Sequence, residues 1–156
     1  MYPSSDEGLN KATDHAVYFF TPSFHPLDNF SAHSLTLWDY EFPTAEHAYQ
    51  WKKFSETLPA IAAQIRTTTS PHLAKEISDA HKLSVPPGWH DRKVAIMEEI
   101  LAAKAQQHAD VRDALKRTGD RTIIENSPVD HFWGIGQDHK GENVIGKIWM
   151  RIRDTL

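Results

Sequence analysis

Cysteine is absent from the sequence. Disulfides and thiolate chemistry are therefore excluded, and a zinc site would have to be built from histidines and carboxylates alone. The ten histidines are scattered along the chain, and no two of them stand in the His-Glu-x-x-His spacing of a helical zinc site. The sequence therefore predicts neither a bound metal nor a cofactor.

Targeting signals, long apolar runs and an excess of positive charge are also lacking. The N-terminus does not show the charged-then-apolar pattern of a signal peptide, and no apolar run approaches the length that crosses a bilayer. These features predict a cytoplasmic protein with no membrane partner. The net charge of −4 argues against a general nucleic-acid binder, although it allows a local pocket that holds one phosphate group.

The size of the chain favours one domain. Its 156 residues suffice for a substantial core and are too few to suggest two domains. Five Trp, seven Phe and four Tyr supply large side chains to that core. Residues 1–14 are polar and follow no period, which predicts a flexible N-terminal tail before a domain at 15–156.

Hydrophobic periodicity and helix start signals divide that domain into short elements. Strands are predicted at 17–20, 34–42 and 122–125, and the first two could pair as a hairpin. Helices are predicted from residue 45, at 58–66, from residue 71, at 89–108, at 111–118 and from residue 144. The pattern therefore contains more helix than strand.

The helix predicted from residue 45 carries an unusual polar stripe. Thr44 precedes a run of good helix formers, which is typical of an N-cap. Side chains three, four and seven residues apart share a helix face, so Glu46, Tyr49, Gln50 and Lys53 line up. Spacing alone favours a solvated face with an ordinary Glu-to-Lys pairing. A neighbouring apolar stripe, which includes His47, is expected to dock on the core.

A second cluster lies in the last third of the chain. Glycines at 134, 136 and 141 indicate backbone that turns sharply or approaches a ligand closely. Asn143 is expected to cap the final helix. A glycine-containing loop that runs into a helix N-terminus favours an anion, because free N–H groups and the helix dipole both point at it. Most such turns bind nothing, so the pattern alone does not decide for a phosphate.

Taken together, these segments resemble the NADAR superfamily, the YbiA-like N-glycosidases, from about residue 17 to residue 153. The residues that carry the resemblance are Asp28-Asn29-Phe30, Pro43-Thr44, Glu46-His47, Lys53, Trp89, Met97, Lys104, Leu115, Thr118-Gly119, Asp130, Trp133-Gly134, Gly141, Asn143, Gly146, Met150 and Arg153. The resemblance implies a small, mainly helical α+β fold, here with a small antiparallel sheet. It also implies hydrolysis of an N-glycosidic bond to a phosphorylated ribose. One departure is Asp28, since the family loop usually has Ser there.

Two acidic side chains suffice in principle for such chemistry. Cleavage builds positive charge on the sugar ring and negative charge on the departing nitrogen, so a carboxylate and a proton donor both lower the barrier. Glu46 and Asp130 are the predicted catalytic pair because each stands in a motif. A position in the first helical turn favours a base or charge-stabilising role for Glu46. The sequence does not decide which of the two is the acid.

Lys53 is the third predicted catalytic residue, and two roles stay open for it. It could pair with a substrate phosphate or orient the substrate, or its neutral amine could attack the anomeric carbon to form a Schiff base. The first role is preferred. The predicted substrate-binding residues are Asn29, Tyr49, Trp89, Trp133, Gly134, Gly141 and Asn143. For Trp89, core packing is the default interpretation.

Three functions are compatible with these residues. The first is an N-glycosidase for small ribose-phosphate metabolites, such as early riboflavin-biosynthesis intermediates that carry ribose 5-phosphate. The second is a glycosidase that removes ADP-ribose from guanine in nucleic acid, with ADP-ribosylated DNA or RNA as partner. The third is a module that binds NAD or ADP-ribose without turnover. The acidic net charge favours free metabolites over nucleic acid.

Overall fold

A computed structural model describes residues 8–21 and 25–156 of the chain. The contacts divide it into two compact units. One unit, called here the helical unit, is the continuous segment 32–107. The other, called the discontinuous unit, combines the residues up to 31 with residues 108–156. Among the described residues, no helix is both long and apolar enough to cross a membrane.

The helical unit contains a hairpin and four helices. Its elements are β3 (Leu35–Leu37), β4 (Tyr40–Phe42), α1 (Ala45–Phe54), α2 (Pro59–Thr67), α3 (Pro71–Ala80) and α4 (Trp89–Gln107). Helix α1 contacts α2, α3 and α4, so it lies at the centre of this unit. Phe42, Phe54, Ile65 and Ile100 are fully buried in its core.

Local start signals set the beginnings of these helices. The hydroxyl of Thr44 accepts a hydrogen bond from the backbone N–H of His47, and that of Ser70 accepts one from Leu73. These bonds satisfy N–H groups that have no partner within the helix. Pro59 opens α2 without a side-chain cap, since its missing N–H would have no partner there. The predicted starts of α1, α2 and α3 are confirmed.

The predicted pairing of strands is wrong. Residues 34–42 do not form one strand that pairs with 17–20, because the chain turns back at Trp38 and Asp39 and pairs β3 with β4. Both turn residues have positive φ angles, 54° and 66°, as a tight two-residue hairpin turn requires. The predicted alternation therefore belongs to two strands, in which Leu35 faces Phe42 across the ladder.

The discontinuous unit contains β1 (Lys11–Ala12), β2 (Ala16–Phe19), α5 (Ala109–Arg117), β5 (Thr122–Glu125) and α6 (Val144–Arg153). Its sheet has the order β1-β2-β5 and is mixed. Strand β2 runs antiparallel to β1 and parallel to β5. Helix α6 contacts β5 and α5. The mainly helical α+β class is thus confirmed, while the antiparallel ladders are β1-β2 and the β3-β4 hairpin.

The N-terminal segment departs from the predicted tail. Residues 1–7 lie outside the described residues. Within the remainder, Lys11 and Ala12 pair with β2, and the side chain of Asn10 both donates to and accepts from the backbone of Phe20. The structure therefore places a strand and its anchor where no period was visible in the sequence.

The core of the discontinuous unit is built around Trp149 and Phe19, both fully buried. The indole N–H of Trp149 donates to the backbone carbonyl of Leu27 at 2.9 Å. A buried Trp needs such a partner for its polar edge. The bond ties α6 to the loop that precedes residue 31.

Candidate active site

The polar stripe of α1 is buried, not solvated. The exposed fractions of Glu46, Tyr49 and Gln50 are 7%, 6% and 5%, and Lys53 is half-buried. The spacing-based expectation of an ordinary surface face is therefore wrong. Charged side chains are rarely buried without a specific environment, so this face of α1 is the first candidate for a site.

Glu46 is held by its neighbour one turn along the helix. The amide Nε2 of Gln50 donates to Oε1 of Glu46 at 2.8 Å. The carboxylate also lies in the first turn of α1, where the helix dipole favours negative charge. Its position and rotamer are therefore fixed by the helix that carries it.

The amine of Lys53 lies among aromatic rings and one hydroxyl. Nζ donates to Oγ of Ser78 in α3 at 3.2 Å. It also lies 5.3 Å from the ring centroid of Tyr49 and 6.0 Å from that of Trp89. The two rings pack on each other with centroids 5.5 Å apart. Trp89 is buried, which confirms the core packing expected for it, and its ring also forms part of the surroundings of this amine.

Burial is the main influence on the protonation of this lysine. Desolvation lowers the pKa of Lys53 from its ordinary value of 10.5, while the negative charges of Glu46 and then Asp79 act in the opposite direction. Lys75 and Lys93 add to the lowering. A lysine with a lowered pKa is a candidate nucleophile as well as a candidate anion ligand.

His47 is a structural residue of the same helix. Its Nε2 lies 3.0 Å from the carbonyl oxygen of Thr68, so this nitrogen carries the proton, and Nδ1 accepts from the hydroxyl of Thr44 at 2.8 Å. Burial lowers the pKa of His47, and the bond to the Thr68 carbonyl raises it to a lesser extent. The ring is therefore a neutral bridge between the start of α1 and the end of α2, as its predicted apolar stripe suggested.

In the discontinuous unit, Asp130 organises the loop after β5. Its Oδ1 accepts hydrogen bonds from the backbone N–H groups of Phe132 and Trp133, at 2.8 and 2.7 Å. Its own N–H donates to the hydroxyl of Ser127 at 2.9 Å. This carboxylate is half-buried and has a clear structural task. Its catalytic role stays a prediction.

The glycines of this loop permit close backbone packing. A Cβ on Gly134 would lie 2.8 Å from the carbonyl oxygen of Glu125, and one on Gly141 would lie 2.5 Å from that of Gly134. Real Cβ atoms do not make contacts this short, so both positions require glycine. Trp133 is half-buried and packs edge-on against Phe132, with centroids 4.8 Å apart. Substrate binding by Trp133, Gly134 and Gly141 stays a prediction.

The start of α6 has little of the anion cradle that the glycine pattern allowed. The N–H groups of Asn143, Val144 and Ile145 donate to the carbonyl oxygens of Gly134, Phe132 and Trp133, at 3.0 to 3.1 Å. A phosphate at this terminus would have to compete with these bonds. The free N–H groups on which the cradle hypothesis depended are therefore already occupied by the loop itself.

Asn143 occupies the N-cap position without capping the helix through its side chain. Its backbone is left-handed, with φ 52° and ψ 45°. The side chain instead pairs with the edge of β5: Oδ1 accepts from the N–H of Glu125, and Nδ2 donates to the carbonyl of Ile123, both at 2.9 Å. The expected side-chain cap is therefore wrong. Substrate binding by Asn143 is untested.

Asn29 is buried, with an exposed fraction of 6%. Its neighbour Asp28 is also buried, and Oδ1 of Asp28 accepts from the N–H of Phe30 at 3.0 Å. Substrate binding by Asn29 stays a prediction. The departure at Asp28 from the family sequence fits this turn, because a short carboxylate bonds the N–H two residues further on.

A model of the NADAR domain matches residues 10–156, which is nearly the whole chain. The chain belongs to the NADAR domain family. This confirms the resemblance drawn from the motifs.

Three relatives illustrate the match to this NADAR domain. "N-glycosidase Npun_R5314" of Nostoc punctiforme is 34% identical, over 90% of this chain and 92% of its own. "N-glycosidase YbiA" of Escherichia coli K12 is 29% identical, over 92% of this chain and 89% of its own. The NMR structure of E. coli YbiA superposes with a TM-score of 0.81 at 26% identity, over 96% of this chain and 89% of that one.

The third relative is a longer protein. "Riboflavin biosynthesis protein VVA0006" of Vibrio vulnificus is 30% identical over 90% of this NADAR domain, which corresponds to 38% of the Vibrio protein. At the level of the enzyme class, the two proteins named N-glycosidases confirm the prediction that this NADAR domain is an N-glycosidase.

The predicted site residues of this NADAR domain divide between its two units. The structure brings Glu46, Tyr49, Lys53 and Trp89 together in the helical unit. The discontinuous unit contains the others, namely Asn29, Asp130, Trp133, Gly134, Gly141 and Asn143. A shared cleft for Glu46 and Asp130 stays a prediction. Within residues 8–21 and 25–156, no group of three His, Asp or Glu side chains is arranged to hold a metal.

Two residues of this cluster were not selected from the sequence. The sequence places Gln50 on the polar stripe, one turn after Glu46, but its spacing alone does not indicate a role for it. Ser78 carried no signal, because it reaches Lys53 from another helix. Only the packing of α3 on α1 brings Ser78 and Lys53 together.

Proposed function

We propose that this NADAR domain hydrolyses the N-glycosidic bond between ribose 5-phosphate and a nitrogenous base, with early riboflavin-pathway intermediates as its substrates. The names of the Nostoc and Vibrio relatives support the reaction and the substrate class, respectively. The observation that carries the proposal is the burial of a carboxylate, Glu46, and an amine with a lowered pKa, Lys53, on one helix face.

The reaction breaks the bond between the anomeric carbon and nitrogen. Water supplies a hydroxyl group to the carbon, and a proton goes to the departing nitrogen. Because positive charge develops on the sugar ring, a fixed carboxylate next to the ring lowers the barrier. Glu46 takes this role, either as the base that activates water or as a stabilising charge. Asp130 is the proposed second carboxylate, and the assignment of acid and base stays open.

Lys53 has one of two roles in this proposal. As an ammonium it binds the phosphate or orients the sugar, which its three N–H donors permit. As a neutral amine it attacks the anomeric carbon and releases the base, forming a Schiff base that water then hydrolyses to free ribose 5-phosphate. The burial that lowers the pKa of Lys53 favours its neutral amine over the ammonium, and this supports the second role.

Release of ribose 5-phosphate from ribosylated aminopyrimidine intermediates tests the function. Wild type is compared with Glu46→Gln and with Glu76→Gln, a control at an exposed acid of α3. We expect Glu46→Gln to lose about 100-fold or more in kcat, as is usual for a group that acts on protons or charge in the transition state. The control keeps wild-type rates. A wild-type protein that releases no sugar from any of these compounds contradicts the proposal.

Removal of ADP-ribose from guanine is the second candidate, since it breaks the same kind of bond. The net charge of −4 favours free metabolites, because a nucleic-acid partner is attracted by positive charge. ADP-ribosylated DNA and RNA therefore form the second arm of the substrate panel. If ADP-ribose is released from these polymers faster than ribose 5-phosphate is released from the metabolites, the second substrate class replaces the first.

The cytoplasmic location predicted from the sequence stays a prediction.

A further inference from the structure

One polar atom of the α1 face has no protein partner. The side chain of Gln50 is 5% exposed, and its Nε2 donates to Glu46. Among the described residues, none donates a hydrogen bond to its carbonyl oxygen, Oε1. The orientation of the amide follows from chemistry, because a carboxylate oxygen only accepts and must therefore face the NH₂ group. The carbonyl oxygen consequently points away from Glu46.

An unpaired acceptor at this depth is uncommon. Most buried side-chain oxygens have a partner, since a lost hydrogen bond to water is not otherwise replaced. The position of this oxygen is also informative. Gln50 lies one turn after Glu46 and three residues before Lys53, so it shares the helix face of both proposed catalytic groups.

We propose that Oε1 of Gln50 accepts a hydrogen bond from an O–H or N–H donor of the substrate, and that Gln50 thereby determines substrate specificity. The inference rests on the proposed function, because it assigns the substrate to the same helix face. Two donors of a ribosylated base have the required chemistry: a hydroxyl group of the ribose and the exocyclic amine of the leaving base. A site that pairs a buried acceptor with such a donor rejects analogues that lack it.

Gln50 therefore has two functions in one amide. Its NH₂ group holds Glu46 in place, and its carbonyl oxygen reads the substrate. A purely structural glutamine would need only the first of these.

Two pairs of compounds test the proposal with Gln50→Met, which keeps the length of the side chain and removes both polar atoms. The first pair is ribose 5-phosphate and 2-deoxyribose 5-phosphate, whose dissociation constants are measured by calorimetry without turnover. The second pair is a ribosylated aminopyrimidine and its analogue without the exocyclic amine, compared by kcat/KM. Gln64→Met, at an exposed glutamine of α2, is the matched control.

We expect wild type and the control to prefer the donor-bearing member of one pair by about three- to ten-fold, the range of one neutral hydrogen bond. Gln50→Met loses this preference. Once the acceptor is gone, removal of the donor from the compound costs no further binding free energy, because both changes break the same hydrogen bond. The pair in which the preference is lost identifies the donor. Gln50→Leu replaces the Met variant if the latter does not fold, as judged by its melting curve.

The inference is overturned if Gln50→Met retains the preference that wild type shows, and also if wild type shows no preference in either pair. The calorimetric arm separates this failure from failure of the proposed function. A lost preference in binding without any turnover supports Gln50 and contradicts the glycosidase substrate. Turnover with unchanged preferences supports the glycosidase and contradicts the role of Gln50.

Discussion

Nζ of Lys53 donates a hydrogen bond to Oγ of Ser78, 3.2 Å away on a different helix. Ser78 is itself almost completely buried. The bond fixes the end of a long, flexible side chain that would otherwise sample many rotamers. Helix α3 therefore contributes to the candidate site through one hydroxyl group, although none of the predicted site residues lies on it.

Replacement of Ser78 by Ala should impair catalysis by releasing this amine. A hydrogen bond that accepts from the ammonium favours the charged form, so its loss lowers the pKa of Lys53 further. We expect kcat to fall about ten-fold and the limb of the pH–rate profile that reports Lys53 to move to lower pH. Ser84→Ala, at an exposed serine, is the control. An unchanged pH profile would exclude Ser78 as a positioning residue.

Replacement of Lys53 by Met should separate activity from stability. Because burial lowers the pKa of Lys53 below 10.5, the unfolded chain binds more protons than the folded chain between the two values. The free energy of unfolding of wild type therefore rises with pH between the folded-state pKa of Lys53 and 10.5. Below the folded-state pKa, Lys53 is charged in both states, and burial of its ammonium group destabilises the fold in full. We expect Lys53→Met to be inactive and to melt above wild type at pH 7.

The advantage of Lys53→Met should shrink as the pH rises towards 10.5, because the folded wild type loses the proton of Lys53 before the unfolded chain does. Thermal melts between pH 7 and 10 measure this difference. A gap that widens with pH would contradict the burial argument. Reduction with borohydride in the presence of ribose 5-phosphate adds a chemical test, since a Schiff base on Lys53 would be trapped as a stable secondary amine in wild type only.

Two substitutions of Asp130 should separate its loop bonds from any chemistry. Asn keeps an oxygen that accepts from the N–H groups of Phe132 and Trp133, whereas Ala removes it. We expect Asp130→Ala to lose about 1 to 2 kcal/mol of unfolding free energy and Asp130→Asn much less. Urea denaturation measures this. If Asp130→Asn has the stability and the kcat of wild type, Asp130 is a loop residue and not the second catalytic carboxylate.

Acid should destabilise the protein partly through His47. Its pKa is lowered below 6.5 by burial, so the unfolded chain binds more protons as the pH falls from 6.5 through the folded-state value. As the pH falls through that range, the titration of His47 lowers the free energy of unfolding. Above pH 6.5, His47 is mostly neutral in both states and adds no pH dependence. We expect His47→Gln to be less stable than wild type at pH 7.5, because the bonds to Thr44 and Thr68 are weakened.

At pH 5 the deficit of His47→Gln should be smaller, because wild type has meanwhile lost the contribution of its neutral imidazole. Urea denaturation at the two pH values gives the comparison. His90→Gln, at an exposed histidine of α4, is the control. A deficit of equal size at both pH values would mean that His47 does not titrate in this range.

The sequence predicted helices far better than sheets, for a physical reason. The cap at Thr44 and the proline at 59 act on N–H groups within one helical turn, so a short stretch of sequence contains the whole interaction. Strand β2 instead pairs Ala16 with Thr122, and nothing near either residue indicates the other. The hairpin turn at Trp38 also lacked the usual glycine, so it was missed.

Helix spacing likewise predicted which side chains of α1 share a face, but it could not predict that this face is buried. Glu46 is buried only in the folded chain, where α1 packs against α2, α3 and α4. For the same reason the sequence indicated glycines at 134 and 141 without showing whether a ligand or the backbone approaches them. The structure shows backbone.

The parallel pairing of β2 with β5 has a consequence for synthesis on the ribosome. Residues 16–19 leave the exit tunnel early, yet their partner strand is translated only after the entire segment 32–107. That segment is continuous, so its contacts become available first. Strand β1 is translated earlier and can pair with one edge of β2, but the edge that faces β5 must stay unpaired for most of elongation, and chaperones have their longest opportunity to act there.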